Sequence, residues 1–160
     1  MQIRRRARIV ALQALFEIDT AQHEPDVTLR HRLEDTDLPE SGVAYATALL
    51  RGTLQQIGAL DAIIQRIAPE WPIDQMAPVD RNILRLAAYE ILYLNDTPAK
   101  VAINEAVDIA KLFGSDSSSR FVNGVLGTLY AQRHNWVATP ATQAAGGSEP
   151  GTPTAGEQSV

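Results

Sequence analysis

Four guanidinium groups fall within five positions near the start of the chain: Arg4, Arg5, Arg6 and Arg8. The first acid does not appear until Glu17. An arginine fork stays charged at any physiological pH and binds phosphate bidentately, so this uninterrupted cluster suits a nucleic-acid backbone. The bland alternative is a solvated terminus. The whole chain of 160 residues carries a formal charge of −5, which alone argues against nucleic acid. The charge is unevenly placed, however. From Glu17 to Glu40 eight acids stand against Arg30 and Arg32, leaving a basic end on an acidic body. A phosphate responds to the potential within a Debye length, not to the total.

A second group with anion-binding chemistry is Ser117, Ser118, Ser119 and Arg120, followed by Phe121. Serine hydroxyls at a helix start, beside an arginine, make an anion site as well as an ordinary turn. Lys100 could reach a phosphate, although a solvated lysine is the plainer reading. Catalytic chemistry finds little support. His23, His31 and His134 have no metal-ligand spacing. Glu105 and Asp108 are spaced i, i+3, but Lys111 stands three further on and points to a salt-bridged exposed face. There is no P-loop, dinucleotide fingerprint or nucleophile elbow. With no cysteine, disulfides, thiolate metal sites and cysteine nucleophiles are excluded, and a reducing cytoplasm fits. No apolar run approaches the roughly 20 residues of a membrane span. A non-catalytic chain without cofactor or metal is expected.

The elements that must position these residues read as helices. Residues 3 to about 19 show an apolar face of Ile9, Leu12 and Phe16, with Ala7, Ala11 and Ala14 favouring the state. On it Arg4, Arg5 and Arg8 share a face and Arg6 points elsewhere. Arginines at a helix N-terminus oppose the macrodipole, which predicts a first turn that frays until an anion binds. Pro25 and Pro39 bound a short polar helix with Leu29 and Leu33. A longer one opens at Pro39-Glu40-Ser41, carries Ala46, Leu49, Leu50, Leu54 and Ile57, and weakens at Gly58. Leu60, Ile63, Ile64 and Ile67 continue the pattern. Ala68-Pro69-Glu70-Trp71-Pro72 is a loop, with Trp71 either stacking on a base or, the commoner case beside prolines, packed into the hinge, and it divides the chain into halves of about 1–68 and 72–137.

Pro78 opens the next helix, with Asp80 in the first turn, where it suits the dipole. Ile83, Leu84, Ala87, Ala88, Ile91 and Leu92 make this the most apolar helix and predict that it is central. After Pro98, Ile103, Ala106, Val107 and Ala110 form a helical face that Gly114 should end in a left-handed conformation. A last helix carries Val122, Val125, Leu126 and Leu129. Gly124 and Gly127 there each cost roughly 1 kcal/mol against alanine, which predicts close approach of a neighbouring backbone. Asn104 and Asn123 are read as inter-helix hydrogen-bonding residues. No β alternation occurs. The expectation is an all-α fold of about seven helices in two packed halves. Ala138 to Val160 has three prolines, four glycines and no aromatic, the composition of a disordered tail.

Lys100-Val101-Ala102-Ile103-Asn104-Glu105-Ala106 and Phe121-Val122-Asn123-Gly124-Val125-Leu126, at this spacing, resemble the signature of the NusB family of bacterial transcription antitermination factors. The likeness extends to the arginine-rich start and to Val79–Glu90, and covers about residues 3 to 133. It implies a helical RNA-binding protein of the cytoplasm. Single-stranded box A RNA of nascent ribosomal RNA transcripts would meet Arg4, Arg5, Arg6 and Arg8, with Lys100, Ser118 and Arg120 nearby. Asp80, Asp116 and Phe121 would face a protein partner, the small-subunit ribosomal protein that serves as NusE, within an RNA polymerase antitermination complex. The family motif often has an acid where this chain has Ser117; here the acid, Asp116, stands one residue earlier. The resemblance also allows two other readings. One is the RNA-docking module of a ribosomal RNA cytosine methyltransferase. The other is a helical interaction protein that forms a homodimer by burying the arginine-bearing face and binds no RNA.

Overall fold

A computed structural model describes residues 2–136, so the tail expected at 138–160 lies outside the described residues. These residues form seven α-helices and no strand: α1 (Ile3–Ala21), α2 (Pro25–Glu34), α3 (Glu40–Gln55), α4 (Ile57–Ile67), α5 (Pro78–Tyr89), α6 (Ala99–Phe113) and α7 (Ser118–Ala131). Met1–Tyr130 make one compact unit. Of the remainder only 131–136 are described, where Arg133–Asn135 form a 3-10 turn.

Two helices carry the core. α1 packs against α3, α2 and α5, and buries Ala7, Val10, Ala11, Leu12, Ala14 and Leu15. That set is wider than the single face read from Ile9, Leu12 and Phe16, because helices lie on α1 from several sides and its alanines admit them closely. α5 packs on α1, α3, α4 and α6, and is central as its apolar content predicts. It buries Ile83, Leu84, Ala87 and Ala88. Pro78 at its first turn and Pro25 at that of α2 sit where a missing N–H costs nothing.

The chain departs from the sequence reading at its joints. The helix expected to run through Ile57 breaks at Gln56, whose backbone leaves the helical region (φ −107°, ψ 17°). α5 ends in a π-helical turn, Glu90–Leu94, closed by the Asn95 N–H donating to the Glu90 carbonyl at 3.2 Å, with Asn95 at φ 55°. Gly114 is extended (φ −94°, ψ −172°), not left-handed. It is required for another reason. The Ser118 hydroxyl folds back to accept from the Ser115 N–H at 2.9 Å, and a Cβ at Gly114 would lie 2.4 Å from that oxygen. The backbone approach expected at Gly124 and Gly127 is not found; the crowded glycine is Gly52 in α3, and what crowds it is a side chain, since a Cβ there would lie 2.0 Å from the Tyr89 ring. Gly124 and Gly127 are exposed, with no group within 4 Å of a Cβ. Asn104 and Asn123 are exposed too, and neither side chain bridges helices among the described residues.

Candidate functional site

α1 is helical from Ile3 onward, and its arginines are matched by acids that the sequence places far away. Arg5 donates from Nε to Glu105 Oε1 at 2.9 Å, and from Nη2 to Glu105 Oε2 and to Asp108 Oδ2 at 2.8 Å each. Arg4 donates to the Asp96 carboxylate at 2.8 Å and to the Thr97 hydroxyl at 3.1 Å, and lies over the Tyr45 ring, 4.5 Å from its centroid. Arg6, pointing elsewhere as expected, donates to the Asp37 carbonyl. The positive charge that should oppose the helix dipole is thereby offset, which removes the reason for a frayed first turn.

Arg8 is a separate case. It is 7% exposed, and the Glu90 carboxylate that receives it is 2% exposed. Nε and Nη2 of Arg8 donate to that carboxylate at 2.9 and 2.6 Å, and the Tyr45 hydroxyl donates to it at 2.6 Å. Burial alone would push the Glu90 carboxyl up, but the bonds from Arg8 and Tyr45 outweigh it and hold the group below the usual carboxylate range. Glu105 is held low chiefly by its bonds from Arg5. The Arg5 guanidinium is correspondingly driven above its ordinary value by Glu105, against the opposing effect of burial. The acid pair Glu105 and Asp108 therefore serves Arg5, and Lys111 stays exposed without an ion pair among the described residues.

A second polar cluster backs the other end of α5. Arg81 and Asn82 both donate to Asp19 Oδ2 of α1, at 2.8 and 2.9 Å. Arg85 grips Asp61 of α4 through two bonds of 2.7 and 2.8 Å. Burial opposes the charge on Asp19, but Arg81 and Asn82 prevail and lower its pKa. Arg81 also reaches the carbonyls of Ile73, Asp74 and Met76 at 3.3–3.5 Å, so it holds the segment between α4 and α5.

That segment forms one wall of a groove of about 470 Å³, lined by Trp71, Met76, Asp80, Ser117, Arg120 and Phe121 among others. Trp71 is 58% exposed, contrary to its reading as a packed hinge residue, and meets Phe121 edge-on with centroids 6.2 Å apart. The Asp80 Oδ1 atom is buried and has no hydrogen-bond partner among the described residues. Arg120 on the rim and Lys100 on the first turn of α6 are exposed and make no ion pair among the described residues. Asp116 is exposed, and Ser118 is buried with its hydroxyl committed to the turn.

The structure thus brings Asp80, Arg120 and Phe121 into one groove and places the four arginines at the start of α1, with Arg4, Arg5 and Arg8 turned toward the π turn, Asp96 and α6 and Arg6 toward Asp37. Sequence reasoning missed Tyr45, Glu90 and Asp96. Glu90 carried a signal, being an acid inside the most apolar helical run, where burial demands a cationic partner. Among the described residues no acid and histidine group could hold a metal, and no helix is long and apolar enough to cross a membrane.

A model of the NusB family matches residues 5–131. The transcription antitermination protein NusB of Roseiflexus sp. (strain RS-1) is 48% identical over 132 residues, 81% of this chain and 93% of that protein. NusB of Chloroflexus aggregans is 48% identical over 128 residues, 79% of this chain and 85% of its own length. Among solved structures, T. maritima NusB is 34% identical with a TM-score of 0.76, covering 81% of this chain and 91% of its own. A crystal structure of antitermination factors NusB and NusE in complex with dsRNA aligns with a TM-score of 0.76 at 27% identity, over 82% of this chain and 98% of that one. The match is to the helical unit that holds both the buried arginine–acid network and the Trp71–Phe121 groove, and the chain belongs to the NusB family.

Proposed function

We propose that this chain is a non-catalytic, RNA-binding transcription antitermination factor that joins box A RNA of nascent ribosomal RNA transcripts to NusE in the cytoplasm. Arg4, Arg5 and Arg6 would neutralise RNA phosphates, with Lys100 and Arg120 as further cations. Arg8 holds the helix that presents them, since its own fork is spent on Glu90. Asp80, Trp71 and Phe121 would receive NusE, with the exposed Asp116 next in sequence to the lining residue Ser117 as a further contact. Two modest contacts joined in one ternary complex give avidity without either being tight. That complex would then bias RNA polymerase against termination. A homodimer burying the arginine-bearing face would compete with RNA.

The observation that carries this reading is the groove itself. It sets exposed aromatic surface beside the Asp80 Oδ1 atom, which is buried and has no hydrogen-bond partner among the described residues, so a donor brought by a partner would be favoured there. Support also comes from the relatives, whose names carry the antitermination role, and from the NusB structure held with NusE and RNA.

The test is binding of a short box A RNA, with and without NusE, across a salt series. An Arg4→Ala, Arg5→Ala, Arg6→Ala variant should lose a log–log salt slope of about −2, the share of three phosphate contacts on a single strand. An Asp80→Asn, Phe121→Ala variant should keep RNA binding and lose its enhancement by NusE. Equal binding by the wild type and the arginine variant would move the RNA site away from α1. Light-scattering mass with and without RNA tests the competing homodimer.

A further inference from the structure

The Arg5 fork is shared by two carboxylates that differ in how firmly they are held. Glu105 lies on the inner side, its side chain 14% exposed, and takes bonds from both Arg5 and Arg8. Asp108 lies on the outer side, its side chain 44% exposed, and takes one bond, from Arg5 Nη2 at 2.8 Å. One helical turn separates the two acids, so together they surround the edge of a guanidinium as two phosphate oxygens would. Lys111, the cation on the same helix that could have held Asp108, makes no bond to it among the described residues.

We infer that Asp108 is a displaceable internal stand-in for phosphate, occupying the outward N–H of Arg5 until RNA ejects it. This rests on the proposal that RNA meets the start of α1. An exposed ion pair is worth little in water and exchanges readily, whereas the inner Arg5–Glu105 pair, doubly bonded and partly buried, persists. Arg5 therefore stays aimed by Glu105 while one of its donors changes partner. Asp108 also repels the incoming phosphate. A lone small anion gains too little from one donor to overcome both effects. A strand that also engages Arg4, Arg6 or Lys100 gains enough, so Asp108 raises the threshold for binding in favour of polyanions.

The experiment measures binding of a labelled short box A RNA by fluorescence anisotropy at fixed low salt, using the full chain. The proteins are the wild type, Asp108→Asn, Arg5→Ala, the double variant, and Asp26→Asn. Asp26→Asn removes one acid from an exposed pair with Arg51 elsewhere on the surface and controls for net charge. Asp108→Asn should bind about threefold to tenfold tighter than wild type, and Asp26→Asn by a clearly smaller factor. The gain should vanish in the Arg5→Ala background, where no fork remains to be freed. Circular dichroism checks that each variant is helical, and Arg5→Lys, which keeps the charge but not the fork, replaces Arg5→Ala if that variant unfolds. Three results overturn the inference while leaving RNA binding intact: no gain from Asp108→Asn, a gain equal to that of Asp26→Asn, or a gain undiminished without Arg5. Absence of RNA binding by every protein, with NusE added, overturns the RNA reading itself and the inference with it.

Discussion

Arg8 of α1 and Glu90 at the head of the π turn hold one another through bonds of 2.9 and 2.6 Å, almost out of reach of solvent. Removing one member of such a pair leaves an uncompensated buried charge. Arg8→Ala should therefore cost about 3–5 kcal/mol of unfolding free energy. Replacing both with apolar groups, Arg8→Met with Glu90→Leu, should recover most of that loss, because desolvation no longer has to be offset. Arg4→Ala removes an exposed pair with Asp96 and should cost less than about 1 kcal/mol. Urea unfolding of the variants separates these outcomes, and a loss from Arg4→Ala as large as that from Arg8→Ala would contradict the burial argument.

Acid should act through the same carboxylates. Glu90, Glu105 and Asp19 have folded-state pKa values below their ordinary ones. Their contribution is fully present above the unfolded values, about 3.9 to 4.3, and is lost as pH falls through the lower folded values. Stability should be flat with respect to these groups from pH 7 to about 5 and decline below about pH 4. Glu105→Gln should make that decline shallower, read from urea midpoints at successive pH values. A slope unchanged by the substitution would show that Glu105 is not among the groups responsible.

Glycines on two helices should respond in opposite senses to alanine. Gly52→Ala forces a methyl group against the Tyr89 ring and should destabilise by about 1–3 kcal/mol. Gly124→Ala and Gly127→Ala meet open space on a helix surface and should stabilise by about 0.5–1 kcal/mol each. Thermal unfolding measures both. A destabilised Gly124→Ala would mean that something covers this face of α7.

Arg81→Ala tests whether the groove depends on the support behind it. Its bonds to Asp19 and to the carbonyls of Ile73, Asp74 and Met76 would be lost, at about 1–3 kcal/mol. If the groove is the NusE site, NusE binding should weaken while RNA binding by the protein alone is kept. Equal weakening of both would indicate general destabilisation.

Much of the fold was legible because helices announce themselves locally. Pro25, Pro78 and Pro98 mark helix starts, and Ile83, Leu84, Ala87 and Ala88 mark the central helix; all appear where their spacing puts them. Gly114 was legible as a helix end but not in its conformation, which depends on where the Ser118 side chain turns. The use of Gly52 was hidden, because it depends on which ring lies opposite, a matter of tertiary approach. The arginine cluster was visible as a charge run, yet its acids come from residues 90–108, and a one-dimensional reading finds no acid within reach. The Asp80–Phe121 groove was reached through the family motif. Its exposed Trp71 was not, since prolines on either side favour a packed residue as readily as an open one.

The span of the arginine contacts bears on how the chain is made. Arg8 and Arg5 find their acids 82 to 103 residues downstream, whereas helical proteins ordinarily draw on neighbours close in sequence and fold fast for that reason. α1 is synthesised well before residues 90–108, which supply its matching acids. At about 5–20 residues per second, a nascent chain waits roughly 5 to 20 s between the emergence of α1 and that of α6. Arg6 can reach the Asp37 carbonyl early in that interval and Arg8 meets Glu90 late in it, but Arg5 lacks both of its carboxylates until α6 emerges. The start of α1 is thus more basic while the chain is being made than after folding, and the emergence of Glu90, Asp96 and then α6 neutralises it in steps.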